Sequence, residues 1–265
     1  MKRALLAALL WTLPGGVLHG ADFSSNAVGT TGSSFLRIGS GARAMAMGGA
    51  YSAVADDAGA VYWNPAGLAL LRGRSLQMSH SGDQDGVNLE NIAFGAKAGR
   101  LGWGGALSYR DVGSIERTDV NGDSQGVYRP RDYAATISLA SDLKSASLPE
   151  GALAVGVSGK VFKSKIVEEA NGYAFDTGLL GRKEIGEDWV VRAAAVAQNL
   201  GVRVKFDQES DPLPTTFRLG LALLSRPHWL VSGETFLPRG NGLQGGLGVE
   251  FVGEPVAGIK GSLRF

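Results

Sequence analysis

The chain has 265 residues, with 26 basic and 25 acidic side chains, so its formal net charge is +1. This balance lacks the basic excess of a nucleic-acid-binding protein and argues against nucleic acid as a partner. Cysteine is absent, which excludes disulfides and cysteine-ligated zinc. Glycine is unusually frequent: the 40 glycines are about 15% of the chain, roughly twice the average share of about 7%.

The first twenty residues differ in pattern from the rest of the chain. A basic start at Lys2 and Arg3 precedes a nearly pure apolar run from Ala4 to Leu13, which Pro14 ends. This is the layout of a secretory signal peptide, and the apolar run is shorter than the roughly 20 residues that a membrane helix needs. We therefore expect export, with cleavage near Gly20–Ala21.

Residues 35–69 read FLRIGSGARAMAMGGAYSAVADDAGAVYWNPAGLA and do not alternate in polarity. Glycine-rich turns surround a short Ala/Met stretch, and the acidic pair Asp56-Asp57 follows. Asn64 precedes a proline and is therefore disfavoured in the helical region, whereas Pro65 can begin a short helical turn. We expect a compact, turn-rich segment here.

From about residue 75 onward, apolar and polar residues alternate in short runs. In 216–224, for example, Phe217, Leu219 and Leu221 oppose Arg218 and Gly220. A period of two predicts strands with one apolar face and one polar face. Many runs approach the roughly 9–11 residues that a tilted strand needs to cross a bilayer. The candidate strands are 75–81, 89–98, 101–117, 126–141, 151–164, 172–182, 189–198, 202–206, 215–224, 228–236, 243–251 and 256–265.

Hairpin dipeptides punctuate these runs and predict that chain neighbours pair antiparallel. They are Asp85-Gly86, Asn121-Gly122, Asn171-Gly172 and Asn241-Gly242. The run VAGIKGSLRF alternates back from Phe265 and resembles the signal that delivers barrels to the outer-membrane assembly machinery.

The polar faces carry charges of opposite sign on neighbouring runs. We expect ion pairs across a lumen, although an ordinary solvated sheet face would also carry mixed charges. The opposite face is so uniformly apolar that it needs a cover, and lipid would supply one. This arrangement predicts that lumen substitutions such as Arg218→Gln cost little, whereas Leu221→Arg blocks assembly. The candidate lumen charges are Lys160, Asp176, Arg218, Glu234, Glu250 and Lys260.

The block at residues 35–69 resembles the N-terminal block of the PorV/PorQ-like outer-membrane proteins, relatives of the FadL-type transporters of hydrophobic compounds. The segment Leu213 to Leu224, LPTTFRLGLALL, resembles a strand typical of the same group. The resemblance implies that Gly41 to Leu68 lies in or at the lumen. The candidate plug residues are Arg43, Asp56, Asp57, Asn64 and Pro65.

These families have about fourteen strands, and the candidate runs number eleven or twelve. We therefore predict an all-β fold, an antiparallel transmembrane β-barrel of about 12–14 strands, complete or incomplete, with the N-terminal Gly-rich segment in or at its lumen. The predicted division is a signal peptide at 1–20, a plug-like segment at 21–72 and a barrel at 73–265.

No motif indicates an enzyme. His80 and His228 lack the spacing of a zinc site, Gly159-Lys160 lacks the remainder of a P-loop, and the run from Asp119 lacks the glycine and glutamate of a calcium loop. We therefore expect no catalytic residue, no metal site and no cofactor.

Three functions remain open. The first is an outer-membrane protein that aids secretion or surface attachment of exported proteins, as PorV-like members of the type IX secretion pathway do. The second is a FadL-like conduit for hydrophobic small molecules. The third is a soluble periplasmic β-rich binding protein. The first two imply outer-membrane lipid and the barrel-assembly machinery as partners, together with secretion-system proteins or hydrophobic ligands.

Overall fold

We describe the protein from a computed structural model, which covers residues 23–83, 86–144, 149, 151–206, 209–225, 228–252 and 262–264. The predicted signal peptide and Lys260 lie outside these residues. None of the helices in the described part is both long and apolar enough to cross a membrane.

The sequence predicts a turn-rich N-terminal segment, and the structure shows several short helices there. Turns of 3₁₀ helix cover Ser25–Ala27, Ser34–Arg37 and Pro65–Leu70, and two short α-helices are α1 (Ala42–Ala46) and α2 (Ala60–Trp63). Asn64 is extended, with φ −163° and ψ 104°, and its side chain accepts a hydrogen bond from the amide of Ala66. Pro65 then occupies the first position of the following helical turn, as the sequence predicts.

The rest of the described chain is almost entirely extended, and the strands follow one another in hairpins. The strands are β1 (Arg74–Gly82), β2 (Asn88–Ala98), β3 (Leu101–Asp111), β4 (Ile115–Thr118), β5 (Ser124–Tyr128), β6 (Arg131–Asp142), β7 (Leu153–Lys165), β8 (Glu169–Ile185), β9 (Trp189–Gly201), β10 (Val204–Phe206), β11 (Glu209–Asp211), β12 (Thr216–Ser225), β13 (Trp229–Pro238), β14 (Gln244–Val252) and β15 (Ser262–Arg264).

Eleven strands form one sheet in the order β1-β2-β3-β6-β7-β8-β9-β12-β13-β14-β15, and every pairing is antiparallel. The all-β antiparallel prediction is therefore confirmed. The hairpins β4-β5 and β10-β11 stand apart from this sheet. Both hairpins lie at the same end of it, which we call the hairpin end, and the opposite end carries the β2-β3 and β8-β9 turns.

Some predicted boundaries are wrong for local reasons. The predicted strand 101–117 is interrupted at Gly113, which has a φ of +81°, and the predicted strand 126–141 is interrupted at Pro130, which lacks an amide hydrogen. Asn171-Gly172 is not a turn but lies within β8, where Gly172 pairs with Phe162. The predicted strand 202–206 belongs to the separate β10-β11 hairpin.

The large sheet curves around the N-terminal segment, residues 34–71. Gly41 of this segment lies against the Gln77 side chain on β1, and Arg43 bonds to Glu250 on β14. Gly48 also approaches the backbone of Leu247 on β14. Strands at opposite ends of the sheet order therefore reach the same short stretch around α1. The described residues show no hydrogen-bonded pairing of β1 with β15 that would close the ring.

The glycine content follows largely from this curvature. A methyl group at Gly102, Gly156 or Gly178 would collide with Leu68, the Pro65–Ala66 backbone or the Asn64 side chain, respectively. Similar conflicts occur at inward-facing glycines of β12 and β14. Glycine therefore lets the strands pass close to the segment that they enclose.

Candidate functional site

The interior of the curved sheet is the candidate site, because it gathers almost all the buried charge of the described chain. The N-terminal segment lies against the inward face, where its apolar side chains meet small residues of the strands, such as Ala106, Ala140 and Ala194. Three ionic groups lie in this interior: two of them bond the segment to the strands, and the third joins β7, β8 and β9.

The first group surrounds Arg43 of α1. Its guanidinium contacts Asp56 at 2.7 Å, Asp57 at 3.2 Å and Glu250 at 2.8 Å. The Tyr51 hydroxyl donates to Asp57 at 2.6 Å. Arg192 of β9 donates to the other oxygen of Asp56 at 3.1 Å. The group therefore joins the N-terminal segment to β9 and β14.

Electrostatics in this group favour the ionised pairs. Burial opposes charge on both Arg43 and Asp56, but their mutual attraction outweighs it, with help from Glu250 and Arg192. The pKa of Arg43 is raised and that of Asp56 is lowered from the usual value. Burial, reinforced by Asp57, raises the pKa of Tyr51, which keeps its hydroxyl protonated as a donor.

The second group is centred on Arg218 of β12. Its guanidinium donates to Glu234 of β13 at 2.6 Å and to Gln198 of β9 at 2.7 Å. Both charged residues are buried. The other oxygen of Glu234 accepts from the amide of Ser52, and the Gln198 amide donates to the carbonyl of Tyr62. These bonds fix the middle of the N-terminal segment to the wall.

The third group pairs Lys160 of β7 with Asp176 of β8 at 2.7 Å. Lys160 also donates to the side-chain oxygen of Asn199 at 2.9 Å, and the backbone amide of Asn199 donates to Asp176 at 2.8 Å. Asn199 adopts a left-handed backbone with φ 56°, beside a register shift between β8 and β9. This irregularity turns the amide toward the carboxylate.

Asn64 connects the segment to β8. Its side-chain amide donates to the carbonyls of Ser52 at 2.9 Å and Leu179 at 3.3 Å, and it is fully buried. Pro65 is also buried and lies against the glycines of β7 and β8. Around Tyr62 these contacts leave little room for a ligand: the cavity between Tyr62, Phe35 and the sheet measures only about 30 Å³. A larger cavity of about 450 Å³ lies at the hairpin end, where Phe35, Arg110 and Asp132 are among its lining residues.

The structure thus brings together the predicted residues Arg43, Asp56, Asp57 and Glu250 in one group, whereas Lys160–Asp176 and Arg218–Glu234 form two separate pairs. Glu250 contacts Arg43, and the predicted residue Lys260 lies outside the described residues. Sequence reasoning missed Arg192, Gln198 and Asn199. Arg192 and Gln198 alternate with the outward residues of β9 and face inward like Val190 and Val196, so the period of two in the run 189–198 could have identified them.

The opposite face of the sheet is apolar and exposed. Among its most exposed side chains are Met78 on β1, Ile137 on β6 and Leu247 on β14. At the end of the sheet opposite the hairpin end, three outward aromatic residues, Trp189, Trp229 and Phe251, lie in one row of direct strand partners. Ile185 and Ser225 complete that row.

No cluster of three or more histidine, aspartate or glutamate side chains in the described part of the chain is arranged to hold a metal ion. The exposed His80 pairs with Glu90 at 2.7 Å on the outward face, and the His228 ring contacts the carbonyl of Val252. The interior carboxylates bond to arginine, lysine or backbone amides, which is an arrangement that holds parts of the chain together.

Comparison with known proteins places the chain in a family. The model of the uncharacterised protein family UPF0164 matches residues 19–179, which is more than half of the chain. The chain belongs to UPF0164. The UPF0164 match contains the whole N-terminal segment and the Lys160–Asp176 pair, and it ends before Arg192, Arg218, Glu234 and Glu250.

Among solved structures, CdiB from Acinetobacter baumannii is similar to this UPF0164 member with a TM-score of 0.43 and 11% sequence identity. The alignment covers 72% of this chain and 42% of CdiB, so the chain spans less than half of that protein. No curated protein matches the chain.

Proposed function

We propose that this UPF0164 member is a β-barrel protein of the bacterial outer membrane, of the PorV/PorQ type, that aids secretion or surface attachment of exported proteins. The observation that carries the proposal is an inverted distribution of polarity. The inward face holds buried ion pairs, and the outward face holds exposed leucine, valine and aromatic side chains.

This distribution supports lipid as the surrounding medium. Soluble monomers rarely expose continuous apolar patches larger than a few hundred Å². Here exposed apolar side chains recur on strands from β1 to β14, and the outward aromatic residues Trp189, Trp229 and Phe251 at one end resemble part of the girdle of a membrane barrel. A soluble periplasmic binding protein would need another cover for this face.

The ion pairs and close packing in the middle of the interior favour a scaffold over an open conduit. The cavity beside Tyr62, of about 30 Å³, has room for roughly one water molecule, and only the cavity of about 450 Å³ at the hairpin end reaches the roughly 300–1,000 Å³ usual for small-molecule sites. Every strand-borne charge of the three ionic groups is engaged by another side chain or by the backbone. A FadL-like conduit would require the N-terminal segment to move and these ion pairs to break.

The assignment to the PorV/PorQ type rests on the block at residues 35–69, which lies inside the UPF0164 match. In this proposal the protein is not an enzyme and needs no cofactor. Its partners are outer-membrane lipid, the barrel-assembly machinery and proteins of the secretion system. The signal peptide at residues 1–20 would direct its export.

Membrane fractionation tests the location. The protein should sediment with outer membranes, resist extraction by carbonate, and migrate faster on a gel without heating than after boiling. Recovery in the soluble periplasmic fraction would contradict the proposal.

A deletion strain tests the role. If the protein serves secretion, the strain should lose surface-attached proteins and take up long-chain fatty acids at the normal rate. Normal surface proteins with reduced uptake would reject the secretion role in favour of the conduit.

A further inference from the structure

A groove of about 1190 Å³ crosses the outward face near the hairpin end, and nothing in the proposed function uses it. The groove extends over the six strands from β1 to β8 that are neighbours in the sheet. Its walls are mainly apolar, and its rim carries polar side chains.

The strand register sorts the lining of the groove into two straight rows. The first row contains residues that are direct partners from strand to strand and are polar or tyrosine: His80, Glu90, Tyr109, Tyr133, Lys163 and Asn171. Two positions further from the hairpin end, the second row is apolar apart from one phenol: Met78, Ile92, Leu107, Ala135, Val161 and Tyr173. A polar row thus lies next to an apolar row, which matches an amphiphile with a polar headgroup and an apolar tail.

The next row of partners lies just beyond the lining of the groove and contains a glycine that the fold does not explain. Gly159 lies outward on β7 between Ile137 and Phe175, and a methyl group there would meet nothing within 4 Å. It also lacks the positive φ of a turn glycine. Glycine in a strand interior costs stability, and it often marks a place where a ligand approaches closely. An external apolar group resting on Gly159 would account for it.

The charges at the rim select the headgroup. Lys163 lies 2.6 Å from Glu169, and Lys165 lies 3.3 Å from the same carboxylate, while His80 and Glu90 form a pair at the other side. An anionic headgroup would meet Glu90 and Glu169 as well as the lysines. A headgroup with one phosphate and one ammonium group can place its phosphate beside Lys163 and its ammonium beside Glu169.

We propose that the groove binds a zwitterionic phospholipid of the surrounding membrane, with its acyl chains on the apolar row and Gly159 and its headgroup at Lys163 and Glu169. This inference rests on the proposed membrane location. It adds a specific lipid site on the outside of the wall, which is independent of the contents of the interior.

Native mass spectrometry of the protein in detergent micelles tests the site, with phosphatidylethanolamine and phosphatidylglycerol of matched acyl chains as probes. We expect phosphatidylethanolamine to bind at least tenfold more tightly. Gly159→Leu adds a side chain next to the apolar row without a clash, where it would displace the acyl chains, and should weaken this binding at least tenfold. Its matched control is Gly181→Leu, an outward glycine of β8 beyond the groove, which should bind as the wild type does.

Lys163→Gln should weaken phosphatidylethanolamine binding at least threefold, and Lys183→Gln, on the outward face of β8 at the other end, should not. Equal binding by Gly159→Leu and Gly181→Leu would overturn the groove as the site. Equal binding of the two lipids would overturn the headgroup assignment.

Heat-modifiable migration of each variant reports whether the fold has assembled, so a folding defect is separated from a binding defect. A wild-type protein that stays soluble without detergent would contradict the proposed function itself. Assembled variants that retain full lipid binding would contradict only the lipid site.

Discussion

Arg43 and Glu250 lie 207 positions apart in the chain, and their side chains meet at 2.8 Å. Arg43 belongs to α1 in the N-terminal segment, and Glu250 belongs to β14, near one end of the sheet order. Gly41, two residues before Arg43, lies against Gln77 on β1 at the other end of that order. The short stretch around α1 therefore contacts strands near both ends of the sheet order.

Arg43→Gln tests this connection. The substitution removes a cation shared by Asp56, Asp57 and Glu250, of which Glu250 is only 3% exposed. Removing one partner of a buried ion pair typically costs about 3–5 kcal/mol, and we expect a loss of that order in denaturant unfolding in micelles. The control is Arg182→Gln, which removes the more exposed pair with Glu184 and should cost about 0–1 kcal/mol. Equal losses would show that the Arg43 group does not stabilise the fold.

Much of the wall could be predicted from the sequence, because alternation is a local property. A period of two predicts that Tyr133 and Asp132 point to opposite faces of the sheet, as do Leu219 and Arg218, and the structure shows both. The opposite charges of Lys160 and Asp176, and of Arg218 and Glu234, lie on neighbouring runs of the sequence, and each pair is in contact in the structure. What could not be predicted is the partner of an inward charge that meets the N-terminal segment. Glu250 meets Arg43 and Asp56 meets Arg192 because the N-terminal segment fills the interior, and no local pattern encodes that docking.

The filled middle of the interior reverses one expectation from the sequence. An open lumen predicts that Arg218→Gln is tolerated, but Arg218 is buried, lies between the rings of Trp63 and Phe236, and pairs with Glu234. We now expect Arg218→Gln to cost about 3–5 kcal/mol in unfolding experiments. Adding Glu234→Gln should restore part of that loss, because the remaining groups are then neutral. A double variant less stable than the single one would contradict this account.

The inward glycines allow the strands to approach the backbone of the N-terminal segment closely. Two glycines of β7, one inward and one outward, test this explanation. A methyl group at Gly156 would enter the backbone of Pro65 and Ala66, whereas Gly159 faces outward into open space. Gly156→Ala should therefore destabilise the protein by about 1–3 kcal/mol, as overpacking does. Gly159→Ala should be neutral or slightly stabilising. The comparison uses thermal unfolding of both variants, and equal effects would reject the packing explanation.

Alkaline pH should weaken the packing of the N-terminal segment. Burial raises the pKa of Tyr62 to about 12, whereas an exposed tyrosine titrates near 10. Since the unfolded chain loses this proton first, the stabilising effect of Tyr62 is complete below about pH 10 and declines as pH rises through about 12. The decline amounts to on the order of 2 kcal/mol.

The measurement is the unfolding free energy as a function of pH for the wild type and for Tyr62→Phe. The variant cannot ionise at this position, so its stability should decrease less steeply above pH 10. Parallel curves for the two proteins would show that the Tyr62 phenol titrates as it does in the unfolded chain.

The strongest test of the membrane assignment uses one substitution at two exposed sites. Val157 lies outward near the middle of β7 and is 57% exposed, and Val120 lies at the tip of the β4-β5 hairpin and is fully exposed. In a soluble protein, arginine would be tolerated at both. In a membrane barrel, arginine at mid-bilayer costs about 2–4 kcal/mol on the lipid-facing side, whereas a hairpin tip remains in water.

Val157→Arg should therefore reduce the heat-modifiable, membrane-inserted fraction, and Val120→Arg should leave it unchanged. Val157→Thr, which keeps the branched shape without the charge, controls for loss of packing between neighbouring outward side chains. If Val157→Arg assembles as well as Val120→Arg, the outward face does not lie in lipid, and its leucine, valine and aromatic side chains must be covered by protein instead.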